Sequence, residues 1–152
     1  LEDALTRRRL ACVVIDMNPA VVQELQARGI PALYGDSTAE PVLHRAGAHA
    51  ARAVAVTVPN FIVGAQTARL ARRMNPGIDI ITRAARYDEM QELRDAGANE
   101  VVQPEFEAGL EFVRHVLRRQ GVSAREALTL VGRRRAMFYR PNEPDAIYQE
   151  ET

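Results

Sequence analysis

"LACVVIDMNPAVVQELQARGIPALYGDS", residues 10–37, decides the fold class. Residues 11–16 crowd Ala, Cys, Val and Ile into a short apolar run. Asn18-Pro19 then opens a helix. Asn is a favoured N-cap, and Pro does no harm at the first helical position, where its missing N–H has no bond to lose. Val21, Val22 and Leu25 share one face of a helix expected over 19–28. Gly29 follows as a left-handed stop, and 32–35 is a second apolar run. A short strand, an amphipathic helix and another short strand imply a parallel pair joined by a right-handed crossover.

The same grammar runs on through the chain. Strands are expected over 11–16, 32–35, 53–57, 79–83 and 100–103, and helices over 19–28, 40–46, 61–74, 87–96 and 106–120. The strands show little alternation, as strands covered on both faces do. "LQARGIPAL", "LHRAGAHAARAV" and "LRDAGANEVV" each end a helix on Leu, place Gly29, Gly47 or Gly97 shortly after, and enter a strand. This predicts an α/β, doubly wound parallel sheet in three layers, αβα. Gly121-Val122-Ser123 marks a boundary, giving a lobe over 1–122 and a C-terminal helix with a loose, acidic, Pro-rich tail over 123–152. Ser123 and Glu126 form S-x-x-E, a capping box at the start of that helix.

Composition narrows the function. The chain has 152 residues, 47% hydrophobic and 26% charged, with 20 basic and 20 acidic side chains. Zero net charge argues against nucleic acid or an anionic membrane surface as the main partner. Every basic residue is Arg, so a catalytic or P-loop lysine is excluded. The single Cys12 has no second cysteine to pair with and fits a reducing, cytosolic setting. No apolar run approaches the roughly 18 residues of a membrane span, and no secretory signal opens the sequence. His44, His49 and His115 lack ligand spacing, so no metal site is expected. No Ser-His-Asp or Cys-His set suggests catalysis.

Ligands of open α/β sheets bind outside the carboxyl ends of the strands, so the residues just after each strand carry the expectations. Asn18 caps the first helix, which leaves Asp16 for another task. An acid at such a strand end accepts hydrogen bonds from ribose hydroxyls, or it orders its own turn. "DSTAEP", residues 36–41, reads as a second S-x-x-E box with Ser37 as cap and Pro41 in the first turn. Asp36 is then either a carboxylate open to the exocyclic amine of an adenine or a solvated residue before the cap. Thr57 ends the third strand, with Asn60 as a helix cap. Arg83 ends the fourth, either for a phosphate, which arginine grips bidentately, or for a surface ion pair.

Taken in order, "VVIDMNPAVVQEL", "GIPALYGDSTAEPVLHRAGA", "AVAVTVPN", "ARRMNPGIDIITRA" and "LRDAGANEVVQPEFEAGLEFVRHVLRRQGVS" closely resemble a family. It is the RCK or TrkA-N domain, the Rossmann-type lobe that regulates potassium conductance, nearest to the cytosolic domains of Kef-type potassium/proton antiporters. The resemblance runs from about Leu1 to Ser123. It implies NAD(H), AMP or ATP in the cleft, with Asp16 at the adenosine ribose, Asp36 and Ser37 at the adenine edge, Thr57 and Arg83 by the phosphates or the second half of the ligand, and Met17 and Glu105 also among the cofactor-binding residues. Glu105 would begin the helix through which such lobes pair as homodimers. The implied role is regulatory and non-enzymatic. Nucleotide state changes a cytoplasmic lobe dimer, which gates an attached membrane potassium transport domain.

The chain departs from the family at its start. "LEDALTRRRLACVVID" reads as the tail of the family's first helix running into its second strand. The first strand and the G-x-G-x-x-G loop, whose backbone holds the pyrophosphate, do not appear. In strand order 3-2-1-4-5-6 that strand is central, so two half-sheets with unpaired edges are expected. Three arrangements answer this. The strand lies on polypeptide before Leu1, or a partner chain lends it, or "RAMFYR" (135–140) fills the slot. Two other readings stand beside the regulatory one: a dimerisation lobe without ligand, and a fragment of a nicotinamide-dependent dehydrogenase.

Overall fold

The computed structural model describes residue 8 and residues 10–139. Eleven elements follow one another there: β1 (Val14–Asp16), α1 (Pro19–Ala27), β2 (Ala32–Tyr34), α2 (Glu40–Arg45), β3 (Ala53–Val56), α3 (Phe61–Met74), β4 (Asp79–Arg83), α4 (Glu89–Asp95), β5 (Glu100–Val102), α5 (Pro104–Arg119) and α6 (Ala124–Tyr139). The α/β alternation stands, with ends displaced by one to three residues. The division into compact units falls at Val102/Gln103. The Gly121–Ser123 turn is therefore the bend inside the second unit's helix pair.

All strand pairing in the first unit is parallel, and it forms two separate sheets, β1-β2 and β3-β4-β5. Among the described residues this is the order of a doubly wound sheet without its central strand. The Val14 N–H donates to the Pro31 carbonyl at 2.9 Å, and the Gly35 N–H to the Asp16 carbonyl at 3.1 Å. Backbone groups alternate sides along a strand, so Ile15 turns its own away from β2. The Asp79 N–H donates to the Arg52 carbonyl at 3.0 Å, which by the same alternation turns Ala53 and Ala55 away from β4. Burial follows the pairing. β4, flanked on both sides, holds Ile80 at 0% exposure, while Val13 before β1 is 43% exposed and Ala53 and Ala55 are exposed. "RAMFYR" does not fill the slot. Residues 135–139 are the last turn of α6, and Arg140 lies outside the described residues.

Local chemistry accounts for most elements. The Asn18 side chain accepts from the Ala20 N–H at 3.0 Å and the Asn60 side chain from the Val63 N–H at 3.2 Å, capping α1 and α3. Gly97 stops α4 at φ +105°, and a Cβ there would press on Arg72 at 3.2 Å. The expected Ser37 cap does not form. α2 starts after Ala39 with no side-chain cap. The later start puts Pro41 in the first turn, where it breaks no helical bond. A start at Ser37 would have placed it deeper, at a position needing its N–H. α5 begins at Pro104 rather than 106, because the Gln103 side chain caps it, accepting from the Phe106 N–H at 2.7 Å.

Small side chains on one face of α3, from Gly64, Ala65 and Thr67 to Ala68 and Ala71, bring it close to β3 and β4. Met90 and Leu93 of α4 are buried, as are Val56, Ile78 and Ile80. A smaller core of Val22, Leu25 and Ala32 joins α1 to β2. In the second unit α5 packs on α6 through Leu110, Ala127 and Val131, with the rings of Phe106 and Phe138 stacked at 3.7 Å. The Ser123 hydroxyl accepts from the Glu126 N–H at 3.2 Å, as its S-x-x-E spacing predicts.

Candidate functional site

The two acids of the first half-sheet come together. β1 and β2 run parallel with Asp16 opposite Tyr34, so Asp16 and the Asp36–Ser37 turn emerge at the same, carboxyl end of that sheet. Each carboxylate has a structural task. Asp16 Oδ1 accepts from the Asn18 N–H at 2.7 Å. Asp36 Oδ1 accepts from both the Thr38 N–H and the Thr38 hydroxyl at 2.8 Å. These donors, the amide first, hold the Asp36 carboxyl below the usual carboxylate range. Both acids therefore order their own turns, and Asp36 is not idle. Each of these bonds uses Oδ1, which leaves the second oxygen of each carboxylate clear of them.

Ser37 has left the capping role for a tertiary one. Its hydroxyl bonds the Thr67 hydroxyl at 2.9 Å, tying the end of β2 to the middle of α3. Sequence reasoning missed this contact, since only proximity of residues 30 apart creates it. Gly35, just before, approaches Val42 so closely that a Cβ would lie 2.9 Å from its methyl. The turn that carries Asp36 is thereby pressed onto α2.

In the second half-sheet one step past the Val56–Thr82 pair brings Thr57 beside Arg83. Thr57 is exposed and Arg83 half-buried. Met17 projects into solvent after β1. Glu105 belongs to the second unit, on the first turn of α5, 3.5 Å from the Gln103 amide. The expected site residues of the first unit thus form two pairs at strand ends, and Glu105 is a residue of the second. Among the described residues no three His, Cys, Asp or Glu side chains gather as a metal site, and no helix is long and apolar enough to cross a membrane.

The donor set fits one half of a dinucleotide. Carboxylate oxygens at adjacent strand ends suit ribose hydroxyls and an adenine amine, both hydrogen-bond donors. A phosphate cradle needs a glycine-rich loop at a helix N-terminus, and the described residues contain none of G-x-G-x-x-G form.

Residues 1–104 match the model of the TrkA-N domain. The chain belongs to the TrkA-N family. A putative K(+) efflux antiporter, KefB of Alkalimonas amylolytica, is 30% identical over 135 residues, covering 89% of this chain and 20% of its own length. The chain thus spans about a fifth of this relative. The crystal structure of the TrkA-N domain of the Escherichia coli inner membrane protein ybaL superposes with a TM-score of 0.70 at 32% identity, over 73% of this chain and 82% of that one. The GsuK channel bound to NAD gives a TM-score of 0.67 at 25% identity, over 73% of this chain and 20% of that one. GsuK bound to ADP gives 0.66, also at 25% identity, over 74% of this chain and 29% of that one. Family and neighbours agree with the Rossmann-like reading of the sequence.

Proposed function

We propose that this TrkA-N chain is the cytoplasmic regulatory lobe of a potassium transport system, a Kef-type antiporter or a channel, and that it binds an adenine nucleotide to gate a membrane domain. It performs no catalysis. The observation that carries the reading is the emergence of Asp16 and Asp36 together at the carboxyl end of β1 and β2, each with a carboxylate oxygen not used by its turn. Asp16 takes the ribose, Asp36 and Ser37 the adenine edge, and Thr57 and Arg83 the phosphates or the second half of a dinucleotide such as NAD(H). The ligands of GsuK support a nucleotide of this class. Lobes pair as a homodimer through α5 and α6, and the exposed Phe112, Val113 and Val116 on α5 support that pairing. Ligand-dependent change in the dimer is what an attached transport domain would feel.

Calorimetry with NAD, NADH, AMP and ATP tests the proposal. At least one nucleotide should bind without turnover, and Asp16→Ala and Asp36→Ala should each weaken it by about tenfold or more, as expected for losing a hydrogen bond to a charged acceptor. Unchanged affinity in both variants removes these carboxylates from the site. A second reading, a dimerisation lobe without ligand, draws on the lack of a glycine loop among the described residues. It predicts no heat from any nucleotide together with a concentration-dependent dimer that Phe112→Asp disrupts.

A further inference from the structure

Helix α3 carries Arg69, Arg72 and Arg73 near its end and no carboxylate anywhere along it. Arg72 is occupied. It donates to the Pro76 carbonyl at 2.8 Å, the Gly97 carbonyl at 2.9 Å and Asn99 Oδ1 at 2.6 Å. Arg69 and Arg73 are exposed, and among the described residues neither enters an ion pair or hydrogen bond. Four positions apart, they lie on one helix face, where two like charges destabilise the helix until something neutralises them. Both line a groove of about 300 Å³ with Thr38, Gln66 and Leu70. That volume is at the small end of molecular binding sites. Two guanidinium forks, the Gln66 amide and the edge of Leu70 suit a compact anion with more than one oxyanionic group.

The groove shares its wall with the Asp36 turn. Thr38, which lines it, supplies the amide and hydroxyl that hold Asp36. Gln66 precedes Thr67, whose hydroxyl bonds Ser37. Contact with Thr38 or a shift of this stretch of α3 therefore changes the geometry of residues 36 and 37 directly.

We propose that the groove between Thr38 and Arg69–Arg73 is a second binding site, for a small molecule bearing two or more carboxylate or phosphate groups, and that its occupancy is transmitted to the Asp36–Ser37 turn. The consequence for nucleotide affinity rests on the function proposed above. The binding and its transmission do not.

Amide NMR shifts of the full chain at low ionic strength, where screening is weak, decide it. Citrate is the carboxylate probe and inorganic pyrophosphate the phosphate probe. With at least one of them, the Thr38 and Gln66 resonances should shift and saturate, with those of Asp36 and Ser37 following the same curve. Whichever probe saturates at lower concentration names the anion class. The R69A/R73A pair should weaken binding by about tenfold or more, R69K/R73K less, since it keeps the charge and loses only the fork. Arg125→Ala with Arg133→Ala removes equal charge from α6, a helix of the second unit, and should change affinity by less than about twofold.

Shifts that fail to saturate with either probe, or that weaken equally in the α3 and α6 variants, overturn the site. Saturation at Thr38 and Gln66 with a silent Asp36–Ser37 turn overturns the transmission. AMP titrated with and without the saturating probe then reads the coupling, expected at about fivefold or more. If AMP binds under neither condition, the nucleotide reading fails while the groove result stands.

Discussion

Thr67 is 2% exposed, and the Ser37 hydroxyl is its partner across the fold. Ser37→Ala should lower stability by about 1–3 kcal/mol, the penalty for leaving a buried hydroxyl unpaired. Adding Thr67→Val should return part of that loss, because the orphaned group is removed along with its partner. Urea denaturation of the two single variants and the double variant measures both effects. A single Ser37→Ala with unchanged midpoint would show that the hydroxyls do not hold β2 to α3. The residue scale also shows what a sequence can reveal. The Asn18 and Asn60 caps and the Gly29, Gly47 and Gly97 stops were legible because cap and partner lie within a few positions. The move of Ser37 from cap to Thr67 was not, since the contact exists only after α3 packs. Asp36 was misjudged for a related reason. Reading Ser37 as the cap released Asp36, whereas Thr38 had claimed it.

At the scale of elements the α5–α6 pair carries its own pH dependence. The Arg135 guanidinium donates to both oxygens of Glu107 at 2.8 to 3.1 Å. That contact first, opposed by partial burial, holds the Glu107 carboxyl below its ordinary value of 4.5. A carboxyl with a depressed folded-state pKa contributes stability that is complete above the unfolded value and is lost as pH falls through the folded one. Acid should therefore loosen the helix pair below about pH 4.5, read by circular dichroism. Glu107→Gln should flatten that dependence and lower stability at pH 7. An acid transition identical in Glu107→Gln and the parent chain would exclude the pair as its origin. The 3.6-residue period of α5 was plain from Leu110, Val113, Val116 and Leu117, yet only Leu110 of these is buried. Periodicity finds an apolar face without saying what meets it.

Across the whole molecule, alternation of short apolar runs with amphipathic ones carried the doubly wound fold, and the absent glycine motif carried the division into two half-sheets. What no local pattern held was the division at Val102/Gln103, since it depends on which helices pack together rather than on where glycines fall. The paired interior of β4 and the open sides of β1 and β3 make opposite predictions for amide exchange. Ile80 and Thr82, buried within the three-stranded sheet, should exchange slowest, whereas Ile15, Ala53 and Ala55, whose N–H groups face no strand among the described residues, should exchange fastest of the strand amides. Equal protection in both groups would mean that another segment covers those sides.

The sides of β1 and β3 that meet no strand among the described residues also bear on the behaviour of the chain in concentrated solution. A row of donors and acceptors that faces no strand among the described residues, flanked by Val and Ala, is a template that any extended chain can copy, another molecule of the same sequence included. β1 and β3 contribute only Asp16 as a charge, and neither carries an inward lysine, a proline or a bulge to discourage such copying. Warmed or concentrated, this chain should grow by backbone-to-backbone addition into thioflavin-positive, fibre-like aggregates. A Lys in place of Ala55, charging an open side without touching the β4 pairing, should delay their onset.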